Sequence, residues 1–217
     1  MSDRKSEEEI TRLGNPAKPQ GSDGESMLTR MNKSHNPVTT WALDLVQSMT
    51  HLDQPAILDI GCGGGATLKQ HAERNPDASL YGIDYSETSV KMTEEYNQEE
   101  VDSGKLQVTL GSVEKMPYKD NSFDLITTVE SFYFWPNPLE NLKEVRRVLK
   151  EGGTFHLIAD IYGKDDLPEK SKGYIEEYNL TNPTIREFAD LFDQAGFSET
   201  TISLKKGTDW ICVTGKK

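Results

Sequence analysis

The stretch Ile57-Leu58-Asp59-Ile60-Gly61-Cys62-Gly63-Gly64-Gly65 combines an apolar strand pattern with a glycine-rich turn, and a helical pattern begins directly after it at Ala66. Glycines in such a turn let the backbone bend sharply and approach a ligand closely. The start of the helix offers free N–H donors. Because Gly61, Gly63 and Ala66 also satisfy a relaxed dinucleotide-binding pattern, the turn alone predicts only a nucleotide-like ligand.

Two aspartates near the turn indicate which kind of nucleotide-like ligand binds there. Asp59 stands two residues before Gly61, and Asp84 ends the next predicted strand. A carboxylate at Asp59 would repel a pyrophosphate and attract an ammonium group, whereas one at Asp84 can accept hydrogen bonds from ribose hydroxyls. Together they predict a ribonucleoside with a cationic amino-acid tail, so the expected cofactor is S-adenosylmethionine.

Strand and helix patterns alternate outward from this stretch. Alternating units imply a parallel sheet with helices on both faces, and the short loop before the final strand implies an antiparallel hairpin. We therefore predict an α/β fold with a doubly wound, mostly parallel, seven-stranded Rossmann-like sheet, a C-terminal antiparallel hairpin and an N-terminal helical cap. The predicted strands are 56–60, 79–83, 106–110, 123–129, 153–161, 197–205 and 209–215, and the predicted helices are 66–74, 86–99, 138–150 and 184–195.

Further motifs follow the glycine turn in a fixed order. They are Gly82-Ile83-Asp84, then Gly111 to Pro117, Asn121 to Leu125 and Arg147 to Gly153. With residues 57–65, this ordered set resembles the class I S-adenosylmethionine-dependent methyltransferases, and within them the ubiquinone/menaquinone-type small-molecule enzymes. The resemblance covers roughly residues 37–217. It implies that S-adenosylmethionine donates a methyl group to a small-molecule acceptor.

The resemblance and the glycine turn together predict the cofactor site. Ser112 stands where the family often has an aspartate that bonds the adenine amino group, and serine would accept that bond less strongly. Glu130 resembles the position beside the methionine moiety, and Cys62 is interpreted as a small filler whose backbone N–H matters more than its thiol. The predicted cofactor-binding residues are Asp59, Gly61, Cys62, Gly63, Gly65, Asp84, Tyr85, Ser112, Val113, Glu114 and Glu130.

The N-terminal part is predicted to divide into a tail and a cap. Residues 1–24 are rich in Ser, Glu, Asp, Gly and Pro, a composition typical of a mobile tail. Residues 25–54 predict a helical cap, and residues 55–217 the methyltransferase domain. Polar residues precede the apolar cap helix, so we expect the cap to fold over the cofactor as a lid, with His35 as a candidate base.

The acceptor pocket is expected after the fourth strand. Methyl transfer is an in-line displacement, which requires alignment and exclusion of water. A base is needed only when the acceptor loses a proton, and the sequence contains no recognisable catalytic triad. Residues 130–136 contain four consecutive aromatic side chains. They predict an aromatic pocket with Tyr133 as a candidate catalytic residue, and the alternative is that these rings pack in the core.

The charged residues and the cysteines limit the kinds of binding partner that we expect for this protein. The 217 residues include 24 Lys+Arg and 36 Asp+Glu, a net charge of −12. Because an acidic surface repels phosphates, we expect neither nucleic acid nor an anionic membrane as a partner. Two distant cysteines give no support to a metal site, and without an export signal or a long apolar run the protein is expected in the cytoplasm. We expect a monomer or a homodimer.

Two other classes remain open from the residues alone. A nicotinamide-dependent oxidoreductase would share the glycine turn, although Asp59 argues against its pyrophosphate. A catalytically silent S-adenosylmethionine-binding subunit would keep both the turn and the acids. Release of S-adenosylhomocysteine would separate an active enzyme from both.

Overall fold

The computed structural model describes residues 5–49 and 53–217, so residues 1–4 of the predicted tail and 50–52 of the predicted cap lie outside the described residues. The strands are β1 (Ala56–Ile60), β2 (Ser79–Asp84), β3 (Leu106–Leu110), β4 (Phe123–Val129), β5 (Leu149–Ala159), β6 (Ser198–Leu204) and β7 (Ile211–Lys216). The helices are α1 (Glu7–Gly14), α2 (Gly21–Ser34), α3 (Asn36–Met49), α4 (Ala66–Arg74), α5 (Glu87–Tyr96), α6 (Gln98–Asp102), α7 (Pro138–Val148), α8 (Glu169–Glu177) and α9 (Ile185–Ala195), and Phe132–Phe134 form a 3-10 turn. Within the described ranges, no helix has both the length and the apolar character needed to cross a bilayer.

The strands form one seven-stranded sheet in the order β3-β2-β1-β4-β5-β7-β6. The first five pair in parallel, whereas β7 runs antiparallel to both β5 and β6. This arrangement confirms the predicted doubly wound sheet with its C-terminal antiparallel pair. The strand order reverses between β1 and β4, and ligands of such sheets bind at the carboxyl ends of the strands near that point.

Helices cover both faces of the sheet because neighbouring strand residues point to opposite sides. Leu58 packs with the buried stripe of α7, formed by Leu142, Val145 and Val148. Ile57, the preceding residue, packs with the helices of the other face. Burying an aliphatic side chain of this size contributes about 1.5–3 kcal/mol. The two apolar layers therefore hold the strand ends, and the loops that follow them, in fixed positions.

Two predicted helices have ends that differ from the structure by more than one residue. The predicted helix 86–99 is divided into α5 and α6 at Asn97, whose Nδ2 donates to the carbonyls of Thr93 and Gly65, each at 3.0 Å. The predicted helix 138–150 ends at Val148, because Leu149 already has an extended backbone and begins β5. Helix α8 was not predicted, since no residue on it is buried and its sequence has no apolar stripe.

Helix α1 lies inside the segment predicted as a mobile tail, and α2 begins there too. Ser6 caps α1 by accepting a hydrogen bond from the Glu9 N–H at 3.1 Å. The two helices approach closely, since a Cβ on Gly14 would lie 2.9 Å from the Asp23 carbonyl oxygen. These helices were not predicted, because capping and backbone contacts through glycine leave little apolar signal in the sequence. The division into tail, cap and methyltransferase domain stays a prediction.

Candidate active site

A cavity of about 340 Å³ lies at the carboxyl ends of the central strands. The loops after β1, β2, β3 and β4 line one side of it. Helix α2, the start of α3 and residues 16–19 line the other side. The volume is in the range of small-molecule sites, and the position agrees with the sequence expectation for ligand binding.

Gly61 and Gly63 form the turn between β1 and α4 and line the cavity. Their φ angles are +71° and +55°, in the region that favours glycine. A Cβ on Gly61 would lie 2.6 Å from Ser131 Cβ, so the loop after β4 packs directly on this glycine. Gly64, which was not in the predicted site, also lines the cavity. A Cβ there would lie 2.7 Å from Asn32 Nδ2, so glycine is needed for the cap to approach.

Gly65 has a different role from the one predicted. It is absent from the cavity lining and instead begins α4 with φ +85°. Its carbonyl accepts the hydrogen bond from Asn97, and a Cβ would lie 2.5 Å from Asn97 Nδ2. The third glycine of the motif therefore allows α4 to pack against α5, and its assignment to the cofactor is corrected.

Asp84 ends β2 and lines the cavity, as predicted from the sequence. Its Oδ1 accepts the Ser86 N–H at 2.9 Å, and its Oδ2 accepts the Gly63 N–H at 3.0 Å. Burial raises the pKa of Asp84 in spite of these hydrogen bonds. The carboxyl thus joins the β2 end to the glycine turn. Next to it, Tyr85 also lines the cavity, and its hydroxyl donates to the Ala17 carbonyl.

Asp59 does not line the cavity, in contrast to the prediction that it faces an ammonium group. Its side chain is buried within the sheet, where Thr127 Oγ1 donates to Asp59 Oδ1 at 2.7 Å. His71 Nε2 lies 3.2 Å from the same threonine hydroxyl. Burial raises the pKa of Asp59 to about 7. The direct contact is corrected because this strand position points to the neighbouring strand β4 and to α4.

Cys62 lines the cavity without offering a nucleophile. Burial raises the pKa of its thiol well above the ordinary value, so the sulfur stays protonated and unreactive. Its N–H is directed to the Ile83 carbonyl at 3.3 Å, alongside the stronger 2.8 Å bond from Gly61. The interpretation of Cys62 as a small filler agrees with this position, whereas its N–H is not free.

Ser112, Val113 and Glu114 follow β3 and line the cavity as predicted. The Ser112 hydroxyl accepts the Glu114 N–H at 3.2 Å and donates to Glu114 Oε2 at 3.2 Å. The serine that replaces the family's aspartate is therefore engaged within its own turn. An adenine ring at this end would meet the apolar side chain of Val113, which is buried.

The opposite end of the cavity carries the candidate acceptor groups. His35, at the junction of α2 and α3, lines it together with Glu130, Phe134 and Trp135. Burial lowers the pKa of His35, while the charge of Asp160 acts in the opposite direction. His35 and two of the four aromatic residues after β4 thus border the cavity, and the roles of the cap as a lid and of His35 as a base stay predictions.

Tyr133 does not border the cavity, so its predicted place in the acceptor pocket is corrected. The ring is buried, and its hydroxyl lies 3.4 Å from Glu130 Oε2 and 3.4 Å from Asp160 Oδ1. The 3-10 turn at Phe132–Phe134 explains the difference, because successive side chains there point in different directions. Tyr133 therefore contacts Glu130 from the side that faces away from the cavity.

Sequence reasoning missed several residues at this site. Asp160 follows β5 at the same carboxyl edge where Asp84 ends β2, and that shared edge could have identified it. Asn32 donates from Nδ2 to the Gly64 carbonyl at 2.8 Å and joins α2 to the glycine turn. Residues 16–19, assigned to the tail, form part of the cavity wall. No motif marks these cap contacts.

Comparisons with known proteins agree with this site. Residues 58–157 match the family described as "Methyltransferase domain". The uncharacterized methyltransferase YdaC of Bacillus subtilis (strain 168) is 29% identical over 164 residues, which cover 75% of this chain and 83% of that protein. The demethylmenaquinone methyltransferase of Geobacillus kaustophilus (strain HTA426) is 27% identical over 190 residues, which cover 75% of this chain and 79% of that protein.

A solved structure agrees with the fold. The phosphoethanolamine N-methyltransferase 2 of Haemonchus contortus, in complex with phosphomonomethylethanolamine and S-adenosylhomocysteine, has a TM-score of 0.76 at 12% identity, covering 100% of this chain and 61% of that chain. None of these matches supports a nicotinamide-dependent oxidoreductase or a silent subunit. The ordered motifs, the strand order and the matched relatives lead to one assignment. The chain carries a methyltransferase domain, is an S-adenosylmethionine-dependent enzyme that transfers a methyl group to a small-molecule acceptor, and resembles the menaquinone-type class I methyltransferases.

Proposed function

We propose that S-adenosylmethionine lies along the carboxyl ends of β3, β2, β1 and β4, and that the acceptor enters beside Glu130, Phe134 and Trp135. The observation that carries this proposal is a single cavity lined by the loops after all four strands and covered by the cap. The residues fit the cofactor, since a buried carboxyl at Asp84 can accept from ribose hydroxyls, and Gly61 and Gly63 border the cavity without side chains. When bound, the cofactor supplies a methyl carbon activated by the sulfonium.

The chain's own residues position the reactants and exclude water. Gly61 and Gly63 hold the methionine part near the turn, and residues 111–114 hold the adenine part. The cap covers both, since Leu28, Met31 and Asn32 line the cavity from α2. A closed apolar wall next to the reacting carbon favours displacement over hydrolysis.

Asp84→Asn tests the cofactor pose by calorimetry. We expect S-adenosylmethionine to bind about 10-fold to 100-fold more weakly, because hydrogen bonds to a charged group contribute about 1.5–3 kcal/mol. Asp77→Asn, which removes an exposed acid in the turn before β2, is the matched control and should bind normally. Adenosine should bind wild type better than 2′,3′-dideoxyadenosine, and Asp84→Asn should abolish that difference. An unchanged preference in Asp84→Asn would contradict the ribose contact.

His35 remains the candidate base proposed from the sequence. Burial lowers the pKa of His35, so the ring is neutral at neutral pH and can accept a proton. His35→Gln keeps a polar side chain of similar reach and removes the proton acceptor. We expect slower release of S-adenosylhomocysteine with unchanged S-adenosylmethionine affinity, and unchanged turnover would dispose of the base role.

The cytoplasm is the proposed location, and a monomer or a homodimer the proposed state. The described cysteines, Cys62 and Cys212, are free and buried, as expected for a protein of a reducing compartment. Fractionation of cells that express the tagged protein would test the location, and light scattering would test the oligomeric state.

A further inference from the structure

The amino-acid tail of S-adenosylmethionine carries a carboxylate as well as an ammonium group, and the cavity wall contains no cationic Lys or Arg to meet it. Among the described residues that line the cavity neither type occurs, whereas Asp84, Glu114 and Glu130 are acids. A carboxylate that leaves water must find hydrogen-bond donors, because an unpaired charge is costly to bury. The anionic end of the cofactor therefore belongs where uncharged donors are concentrated.

Such donors meet at the start of α4. Ala66 and Thr67 line the cavity from the first turn of this helix, and no side chain caps it. The first N–H groups of a helix have no acceptor within the helix, and the helix dipole favours an anion at this end. Because every helix has such an end, the side chains beside it decide whether it binds a ligand.

The Thr67 hydroxyl is the first of these side-chain donors. Thr67 is 8% exposed, and within the described chain its hydroxyl has no hydrogen-bond partner. A buried polar group without a partner is uncommon in a folded protein. Every other buried threonine that the structure describes donates to a protein acceptor: Thr11, Thr39, Thr93, Thr127 and Thr128. Since Thr67 lines the cavity, its acceptor comes from what the cavity binds.

Asn36, the first residue of α3, lines the cavity and supplies the second donor. Gln70 of α4 determines which atom of the Asn36 amide donates. Gln70 Oε1 accepts from Thr40 Oγ1 at 3.1 Å and from Arg74 Nη1 at 2.9 Å. Gln70 Nε2 therefore donates to Asn36 Oδ1, at 2.8 Å. Asn36 Nδ2 is left as a donor, with no acceptor among the residues that the structure describes.

We propose that the carboxylate of S-adenosylmethionine binds at the start of α4, where it accepts hydrogen bonds from the Thr67 hydroxyl, the Asn36 amide and the free N–H groups of the helix. This inference rests on the proposed function, because it assigns one end of the same cofactor. Thr67 lies on the helix that follows the glycine turn, and Asn36 lies on the cap. The carboxylate therefore joins the two sides of the cavity, and a ligand without it loses that contact.

Asn36→Asp tests the sign of the ligand charge at this position. The aspartate keeps the Oδ1 that Gln70 contacts and replaces the Nδ2 donor with a negatively charged oxygen. We expect S-adenosylmethionine to bind about 10-fold or more weakly in calorimetry, because like charges repel, whereas decarboxylated S-adenosylmethionine should lose no affinity. Gln47→Glu adds the same charge at an exposed position of α3 outside the cavity and is the matched control. Unchanged or tighter binding of S-adenosylmethionine by Asn36→Asp overturns the proposal.

Thr67→Val tests the hydroxyl, because valine keeps the shape of the side chain. We expect S-adenosylmethionine to bind about 10-fold more weakly, as for the loss of a hydrogen bond to a charged group, and the decarboxylated ligand to bind normally. An equal loss for both ligands would mean that Thr67 supports the helix, and it overturns the proposal.

The wild-type protein separates this inference from the proposed function. We expect it to bind S-adenosylmethionine more tightly than the decarboxylated ligand, which keeps the adenosine and the sulfonium. Equal affinity for the two would overturn the carboxylate site and leave the proposed function intact. Binding of neither ligand would contradict the proposed function and the carboxylate site together.

Discussion

Gly61 is the residue on which two loops of the site depend. It turns the chain after β1 with φ +71°, and Ser131 from the loop after β4 packs against its missing side chain. A Cβ at this position would push Ser131 toward the cavity, which both residues line. The glycine is therefore required by its neighbour as well as by its backbone angle.

Gly61→Ala should weaken S-adenosylmethionine binding by about 10-fold or more, equivalent to roughly 1.4 kcal/mol, because Ser131 must move into the cofactor space. Gly104→Ala is the matched control, since its φ is +73° and nothing lies within 4 Å of the added Cβ. The control should lose only about 1–2 kcal/mol of folding stability, with normal affinity. Calorimetry and circular dichroism on both variants measure these quantities. Equal affinity losses would show that backbone strain, rather than Ser131, is responsible.

At this scale the sequence identified most of the candidate site, and its errors share a cause. Asp84 and Ser112 end their strands and line the cavity as expected. Asp59 lies within β1, where side-chain direction alternates, so its spacing to Gly61 did not decide which way it points. Gly65 and Tyr133 were assigned by proximity in sequence, whereas packing against α5 and β5 determines their surroundings.

Helix α2 is the element that closes the cavity. Asn32 donates from Nδ2 to the Gly64 carbonyl at 2.8 Å, and Leu28 and Met31 line the cavity from the same helix. We therefore expect α2 to separate from the glycine turn when the proposed cofactor enters. Such lids exchange more slowly than the surrounding side chains move.

Asn32→Ala should increase the dissociation rate of S-adenosylmethionine several-fold, because a neutral hydrogen bond contributes about 0.5–1.5 kcal/mol. Thr29→Ala removes an exposed hydrogen bond to the Glu25 carbonyl on the same helix and is the matched control. Stopped-flow fluorescence of the tryptophan beside the cavity, Trp135, reports the release. A dissociation rate that is equal in the two variants would mean that α2 does not limit cofactor exit.

The elements of the central sheet were predictable because their apolar patterns are long and regular. Strands β1, β3 and β4 have the predicted boundaries, and α4 does as well. Helix α8 was missed for a physical reason: a polar surface helix with no buried residue leaves no apolar periodicity. The cap contacts were equally hidden, because each has a backbone carbonyl as its acceptor, and any sequence would offer one: Gly64 accepts from Asn32, Ala17 from Tyr85 and Pro19 from Ser86.

Two buried side chains, His156 and Asp59, make the folding stability of the molecule depend on pH in opposite directions. Burial lowers the pKa of His156 to about 3, whereas burial raises the pKa of Asp59 to about 7. The neutral histidine stabilises the fold fully above about pH 6.5, and that contribution is lost as the pH falls toward 3. The protonated Asp59 behaves in the reverse manner, since its contribution is lost as the pH rises from about 4 through 7.

The two substitutions His156→Gln and Asp59→Asn should therefore show opposite pH trends in urea unfolding. Relative to His156→Gln, wild type should lose up to about 1.4 kcal/mol per pH unit between pH 6.5 and 3. Relative to Asp59→Asn, it should lose stability as the pH rises toward 7. Each variant serves as the control of the other, because both replace a buried titratable group with a neutral amide that can still form hydrogen bonds. If the stability of a variant changed with pH in the same way as that of wild type, the result would contradict the burial of the side chain that the variant replaces.

The position of β7 in the sheet affects how the chain can fold while it is being synthesised. It follows β6 along the chain but lies between β5 and β6 in the sheet. In the sheet β6 pairs with β7 alone, so it has no partner until Ile211–Lys216 have emerged from the ribosome. The parallel strands β1 to β5 can pair during synthesis, whereas β6 cannot pair before β7 has been made. Until then the unpaired β6 can associate with other chains. We expect slow translation of the segment after Leu204 to increase the time during which a chaperone can bind the nascent protein.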